Sequence, residues 1–279
     1  MENTQVFDEI GKIKPITNRM PLLFLGHGSP MNAIEENQFV EAFRQCAVHI
    51  PKPESILCIS AHWFVKGAKV TALDCPKTIH DFGGFPKALY DVNYPAPGNP
   101  TLAKRIKQLL APTEVELDRS WGLDHGTWSV VKHLYPNADI PVVQLSLDFT
   151  KQTEHHFEMG AKLAALREEG VLIIGSGNII HNMRLVDYEN IATPDCGFDW
   201  AIEAKEMLNN ALLRGDTDFL LNYKMQGDSI QLAIPTPDHF LPLLYILGAK
   251  HPNEKIQLFN DNLVAGSLSM TSLIIDREQ

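Results

Sequence analysis

The sequence predicts an α/β protein, a single domain with a central mostly parallel or mixed sheet covered by helices on both faces. Three observations carry this expectation. Short, nearly continuous apolar runs recur along the chain, as strands buried on both faces require. Amphipathic helical patterns lie between those runs. The length of 279 residues, with 44% hydrophobic and 21% charged residues, suits one sizeable core, and no Ser/Gly linker or charge run divides it.

The elements follow in order. Residues 1–20 mix charged and apolar groups and read as a lead-in, so the domain is expected over 21–279. A strand over 21–25 runs into Gly-His-Gly-Ser-Pro, and a helix is predicted over 36–48. Strands at 55–61 and 69–73 come next. Residues 75–99 are rich in Gly, Pro and aromatics and have no clear period. A long irregular insert in a compact domain is usually either functional or disordered, and its aromatic content favours an ordered loop that covers something. Helices over 101–110 and 128–134 precede a strand at 140–147. A helix at 153–168, a strand at 171–175, helices at 198–213 and 237–247, and a strand at 267–275 complete the pattern.

The net charge of −10 argues against a nucleic-acid partner and against an anionic membrane surface. Cys46, Cys58, Cys75 and Cys196 are scattered and include no C-x-x-C pair. That usage fits reduced thiols in a cytosolic protein. The first twenty residues hold no apolar signal region, and no apolar run approaches the ~18 residues of a membrane span. A cytoplasmic location is therefore expected.

Five of the eleven histidines share a context of small or turn-forming residues near a strand end or a helix start. They are His27 in "LGHGSP", His62 in "ISAHWF", His125 in "GLDHGTW", His181 in "GSGNIIHNM" and His239 in "PTPDHF". Ligands in open α/β sheets bind outside the carboxyl ends of strands, so strands ending at 26, 61 and 175 would aim His27, His62 and His181 at one rim. Each residue taken alone also fits a plainer role. His62, beside Trp63, suits the core; His125 suits a helix cap; His239 suits an exposed first helical turn. The joint pattern is stronger, because imidazole is the commonest metal ligand and several converging rings suit Zn(II) or Fe(II). No cysteine shares these contexts, which disfavours a thiolate structural zinc site. His49, His133, His155, His156 and His251 read as ordinary helix-end or surface residues, while His80 belongs to the aromatic loop.

Six segments, "LFLGHGSPMN", "SAHWF", "TIHDFGGFPKALYDVNYPAPG", "WGLDHGTW", "GSGNIIHN" and "PTPDHFLPLLY", occur in an order that resembles the 4,5-DOPA extradiol dioxygenase-like proteins. These belong to the class III, LigB-type ring-cleavage dioxygenases, and the resemblance runs from about residue 20 to the C-terminal end. It implies a single α/β domain and one divalent metal per chain, Fe(II) for dioxygenase activity with Zn(II) expected in purified protein. It also implies that a small aromatic diol such as L-DOPA is opened by O₂. His27 and His62 match the family's two metal-binding histidines. His239 stands where the LigB enzymes proper carry a glutamate ligand. His181 matches a histidine near the metal that serves as acid/base or as a fourth ligand, and His125 matches a histidine of the substrate pocket. Asp238 is expected to point away from the metal. For the dioxygenase reading, His181 or His125, titrating near neutrality, would carry the proton. Trp63, His80, Phe82, Phe85 and Tyr90 would wall the aromatic ring. Two other readings stay open at this point: a zinc-dependent hydrolase or chelatase, whose histidine-bearing strand end the "GHGS" turn resembles, and a non-enzymatic metal-binding protein. A monomer or a homodimer is expected.

Overall fold

The computed structural model describes residues 19–190, 193 and 195–277, so most of the expected lead-in lies outside the described residues. Ten strands are present among them: β1 (Leu22–Gly26), β2 (Ser55–Val65), β3 (Ala68–Thr71), β4 (Val115–Asp118), β5 (Val142–Asp148), β6 (Val171–Gly177), β7 (Glu254–Phe259), β8 (Leu263–Val264), β9 (Leu268–Ser269) and β10 (Ser272–Arg277). Eight of these form one mixed sheet in the order β4-β3-β5-β2-β6-β1-β10-β7, and β8 pairs with β9 apart from it. The central strands β5, β2, β6 and β1 are mutually parallel, so their carboxyl ends share one edge. β10 runs antiparallel to β1, and β7 runs antiparallel to β10.

Side-chain alternation sorts the strands' residues into two cores. Leu23 and Leu25 of β1, Ile56 and Cys58 of β2, and Leu172 and Ile174 of β6 pack on one face. That face is covered by helices α1 (Gln38–His49) and α4 (His125–Leu134), through Phe43, Cys46, Trp128 and Val131. Leu22, Phe24, Leu57, Ile59, Val171 and Ile173 pack on the other face. There α3 (Pro100–Leu109), α5 (Thr153–Leu163), α6 (Asp199–Arg214) and α9 (Leu241–Gly248) close the core. Three short helices, α2 (Lys87–Tyr90), α7 (Thr217–Leu221) and α8 (Asp228–Ala233), bring the described α-helices to nine. The domain is thus a mixed sheet between two helical layers, as expected.

Local chemistry starts and stops these helices. Asn37 caps α1 by accepting from the N–H groups of Phe39 and Val40. Asn99 caps α3, and Pro100 follows in the first turn, where a missing N–H costs nothing. α6 ends at Gly215, whose φ of 69° is left-handed, the usual helix stop. The helix expected over 153–168 is α5 followed by a 3₁₀ turn, Ala164–Glu169. The expected strand over 267–275 is divided between β9 and β10, which belong to different sheets.

Candidate metal centre

The carboxyl edge of the parallel strands carries the histidines. β1 ends at Gly26, whose N–H donates to Ser272 Oγ at 3.0 Å. A Cβ there would lie 2.5 Å from the Met270 carbonyl oxygen, so only glycine lets β10's approach run this close. Gly28, at φ +60°, then turns the chain and leaves His27 at the strand tip. The His27 N–H donates to the Gly177 carbonyl at 3.0 Å, which ties the tip of β1 to the end of β6. His62 lies within β2 at the register shift between Ile59 and Phe64. A bulge of this kind re-aims a side chain at a sheet rim. His239 precedes α9, and its carbonyl accepts from the N–H of Asn178, just past β6.

The three rings form a nearly equilateral triangle. Centroids are 5.0 Å apart for His27 and His62, 5.2 Å for His27 and His239, and 5.0 Å for His62 and His239. The ring planes are tilted to one another by 48°, 57° and 90°. Nε2 of His62 and Nε2 of His27 are 3.2 Å apart. Two imidazole nitrogens on one tetrahedral cation at ~2.0 Å stand about 3.3 Å apart, so this spacing fits a shared metal.

The outer ring nitrogens fix the tautomers. Ser176 Oγ donates to the Gly126 carbonyl oxygen, which can only accept. Ser176 therefore accepts from His27 Nδ1, 3.0 Å away, and the His27 lone pair is left on Nε2. His239 Nδ1 is 2.5 Å from Asp238 Oδ2, which likewise leaves Nε2 free. His62 Nδ1 faces Asp81 Oδ2 at 3.5 Å. Each ring thus has a hydrogen-bonding or charged partner behind it and an Nε2 in front, the arrangement usual for metal-ligating histidines.

Burial also keeps the rings neutral. Burial, then the neighbouring His62, His239, His125 and His181, lowers the His27 pKa well below the usual value. Burial, then His125, His239 and His181, push His62 down to about 2, with Asp81 opposing. Burial and then His239 lower His181 to about 3. His181 is therefore favoured as a neutral imidazole, because desolvation penalises its charged form.

His125 and His181 flank the triangle on different sides. His125 is the first residue of α4 behind its cap Asp124, and its ring lies 3.8 Å from that of His62. His181 stacks flat on His239, with centroids 3.5 Å apart and planes within 9°. One donor atom from each of His27, His62 and His125 lies within 4.8 Å of the others, and the same is true of His181, Asp238 and His239.

The aromatic loop reaches this cluster. Phe82 lies 5.5 Å from the His125 ring, 5.4 Å from Phe85 and 5.2 Å from Tyr90. His80 Nε2 is 2.9 Å from the Val92 carbonyl, so His80 holds the loop closed on itself while its ring touches Phe82. Trp63 is placed differently. Neighbours in an extended chain face opposite ways, and Trp63 is 2% exposed and stacked on Trp121 at 5.4 Å. The rings brought beside His125 and His80 are Phe82, Tyr90 and Trp128.

Asp238, expected to point away, instead orients His239, because a side chain needs no helical neighbour geometry to bond the ring next to it. Burial would raise its carboxyl, but the hydrogen bond and charge of His239 outweigh that and hold it low. Three site residues were not singled out by sequence: Asp81, Ser176 and Trp128. Asp81 lies in "IHDFGG", directly beside a histidine already noted, and that adjacency was the available signal. Trp128 begins an amphipathic helical pattern and Ser176 lies between Gly175 and Gly177, and neither context points to the residue itself.

A family model described as the catalytic LigB subunit of aromatic ring-opening dioxygenase matches residues 21–268. The chain is 48% identical over 263 residues to the 4,5-DOPA dioxygenase extradiol of Escherichia coli (strain K12), covering 93% of this chain and 96% of that one. It is 39% identical to the 4,5-DOPA dioxygenase extradiol of Beta vulgaris, over 89% of this chain and 94% of that one. A crystal structure of the uncharacterized protein JW3007 from Escherichia coli K12 superposes with a TM-score of 0.80 at 43% identity, covering 92% of this chain and all of that one.

Proposed function

Since the chain belongs to the LigB family of aromatic ring-opening dioxygenases, we propose that it opens a catechol such as L-DOPA by extradiol 4,5-cleavage with O₂, at a metal held by His27, His62 and His239. The observation that carries the assignment of ligands is the triangle of tilted imidazoles spaced 5.0–5.2 Å apart. The names of the relatives support the substrate class. An all-nitrogen donor set suits Fe(II) and Zn(II) alike, so Fe(II) is the metal of the active enzyme and Zn(II) the one expected after purification. Bound there, the metal would supply Lewis acidity toward the diol oxygens and, as iron, a path by which the catechol's own electrons reach O₂.

The protein's own groups do the rest. His125, with Nδ1 3.0 Å from the Asp81 carboxylate, presents Nε2 as the base that takes a catechol hydroxyl proton. His181 is a second neutral base beside the site. Lone pairs lie in ring planes, and the planes of His181 and His239 are nearly parallel. Two such lone pairs do not meet on one cation, which favours His181 as a proton carrier over a fourth ligand. Phe82, Phe85 and Tyr90 form the wall against which the aromatic ring packs, and the loop that carries them keeps water from the reacting face. The family match over most of the chain supports this reading above the hydrolase, chelatase and non-enzymatic ones. No helix among the described residues is long and apolar enough to cross a membrane, and the cytoplasm is the proposed location.

The test loads metal-free protein anaerobically with Fe(II), confirms the bound iron, and then adds L-DOPA and O₂. A yellow ring-opened product with matching oxygen uptake is expected. Absence of both with iron bound, across L-DOPA and simpler catechols, overturns the proposal.

A further inference from the structure

Asp81 stands behind two site histidines at once. Its Oδ2 lies 3.0 Å from Nδ1 of His125 and 3.5 Å from Nδ1 of His62, while its Oδ1 accepts the backbone N–H of His125 at 2.8 Å. The residue lies in the aromatic loop and is not part of the helix or the strand that it touches. The loop is pinned two residues ahead of it, at Ile79. Trp128 Nε1 donates to the Ile79 carbonyl at 2.8 Å, and the Ile79 N–H donates to the Leu123 carbonyl at 2.7 Å. Phe82, the next residue, is the ring nearest His125 within the wall.

We propose that Asp81 is a shared positioning residue: one carboxylate that sets the tautomer and aim of both the metal ligand His62 and the proton-accepting His125, and that makes the docked aromatic loop a condition for either to be correctly set. The negative carboxylate facing both Nδ1 atoms favours a proton on each of them electrostatically, which leaves the lone pair of each ring on Nε2. The single carboxylate links the two histidines, whose tilted rings have centroids 3.8 Å apart, so its loss disturbs metal binding and proton transfer together. The two other proposed ligands have separate partners, Ser176 for His27 and Asp238 for His239, and they are unaffected.

The inference rests on the metal centre proposed above, and its test separates the two. Wild type, Asp81→Asn and Asp81→Ser are compared in three measurements: Zn(II) affinity by competition with a chelator, histidine tautomers by ¹H–¹⁵N correlation of the Zn(II)-loaded protein, and catechol turnover after loading with Fe(II). Thermal melting identifies which variants are folded, and Asp81→Ser serves if Asp81→Asn does not fold. The expected result is affinity weaker by about 10–100-fold, with His125 no longer held as the Nδ1–H tautomer. kcat should fall at least tenfold, with KM changed less than threefold. A folded variant with wild-type affinity and an unchanged His125 tautomer overturns the proposal. Failure of the metal centre itself shows in the wild type, which would then bind no zinc.

Discussion

At the scale of single residues, the assignment divides the five histidines into ligands and proton carriers, and substitution separates the two groups. His27→Ala and His239→Ala are each expected to reduce bound metal from roughly one per chain to almost none, because a neutral nitrogen with a fixed tautomer is lost. Elemental analysis of the purified variants measures this. His181→Gln is expected to keep its metal and to lose about 10²–10⁴-fold in kcat, the usual range for a proton-transfer group. If His181→Gln is purified without metal, His181 is a ligand after all. The five histidines were legible because glycines and turn residues surround them at predicted strand ends. What stands behind each ring was not. Ser176 lies in β6 and Asp81 in a loop, 149 residues from His27 in one case and 44 from His125 in the other. No local pattern reports a partner that distant.

At the scale of elements, a buried polar network holds the amino end of α4 on the sheet. Asp124 accepts from Ser60 Oγ at 2.7 Å, from the Thr127 N–H at 3.1 Å and from the Gln144 side-chain amide. Thr127 Oγ1 donates to Gln144 Oε1 at 2.9 Å, which sets the amide's orientation. Burial and then Asp81 push the Asp124 carboxyl upward, yet three donors surround it. Asp124→Ala removes a helix cap and leaves the Ser60 hydroxyl and the Gln144 side-chain N–H without their acceptor. The expected cost is on the order of 2–4 kcal/mol in urea denaturation, with turnover also reduced because α4 starts at His125. The predicted helix over 128–134 began three residues late for this reason: Asp124 and His125 read as loop until the cap is seen to bond Thr127. Buried strands were legible as apolar runs, whereas β4 and β7, at the two edges of the sheet, were not. β7 keeps only its ends buried, and Lys255 and Gln257 interrupt its apolar pattern.

At the scale of the whole molecule, one buried arginine joins distant parts of the chain. Arg167, 1% exposed, donates from Nε to the Met20 carbonyl at 2.8 Å and from Nη1 to the Ala249 carbonyl at 3.0 Å. It also grips Glu254 with both ends of its fork, at 2.8 and 2.5 Å. The chain before β1, the 3₁₀ turn after α5, the end of α9 and the start of β7 are thereby fastened to one another. Burial would raise the Glu254 carboxyl, but the hydrogen bonds and charge of Arg167, with help from the His251 N–H and Arg19, hold it below its usual value. The pair's contribution is therefore complete above the ordinary glutamate pKa and is lost as pH falls through the depressed one. Thermal melting followed from pH 7 to pH 3 is expected to show stability declining below about pH 4.5. Arg167→Leu strands a buried carboxylate and is expected to cost about 3–5 kcal/mol at pH 7. Stability unchanged in that variant would show that the clamp is ornamental.

The Gly26–Ser272 hydrogen bond spans 246 positions of sequence, and that separation has a consequence for biosynthesis. β1 is the first described strand to be translated, yet one of its two neighbours in the sheet, β10, is the last described strand to emerge. Until then the strand that presents His27 has an open flank, and Met270 is not there to back the turn. The nascent polypeptide therefore cannot acquire catalytic competence piecemeal; the reactive centre ripens only once β10 has emerged.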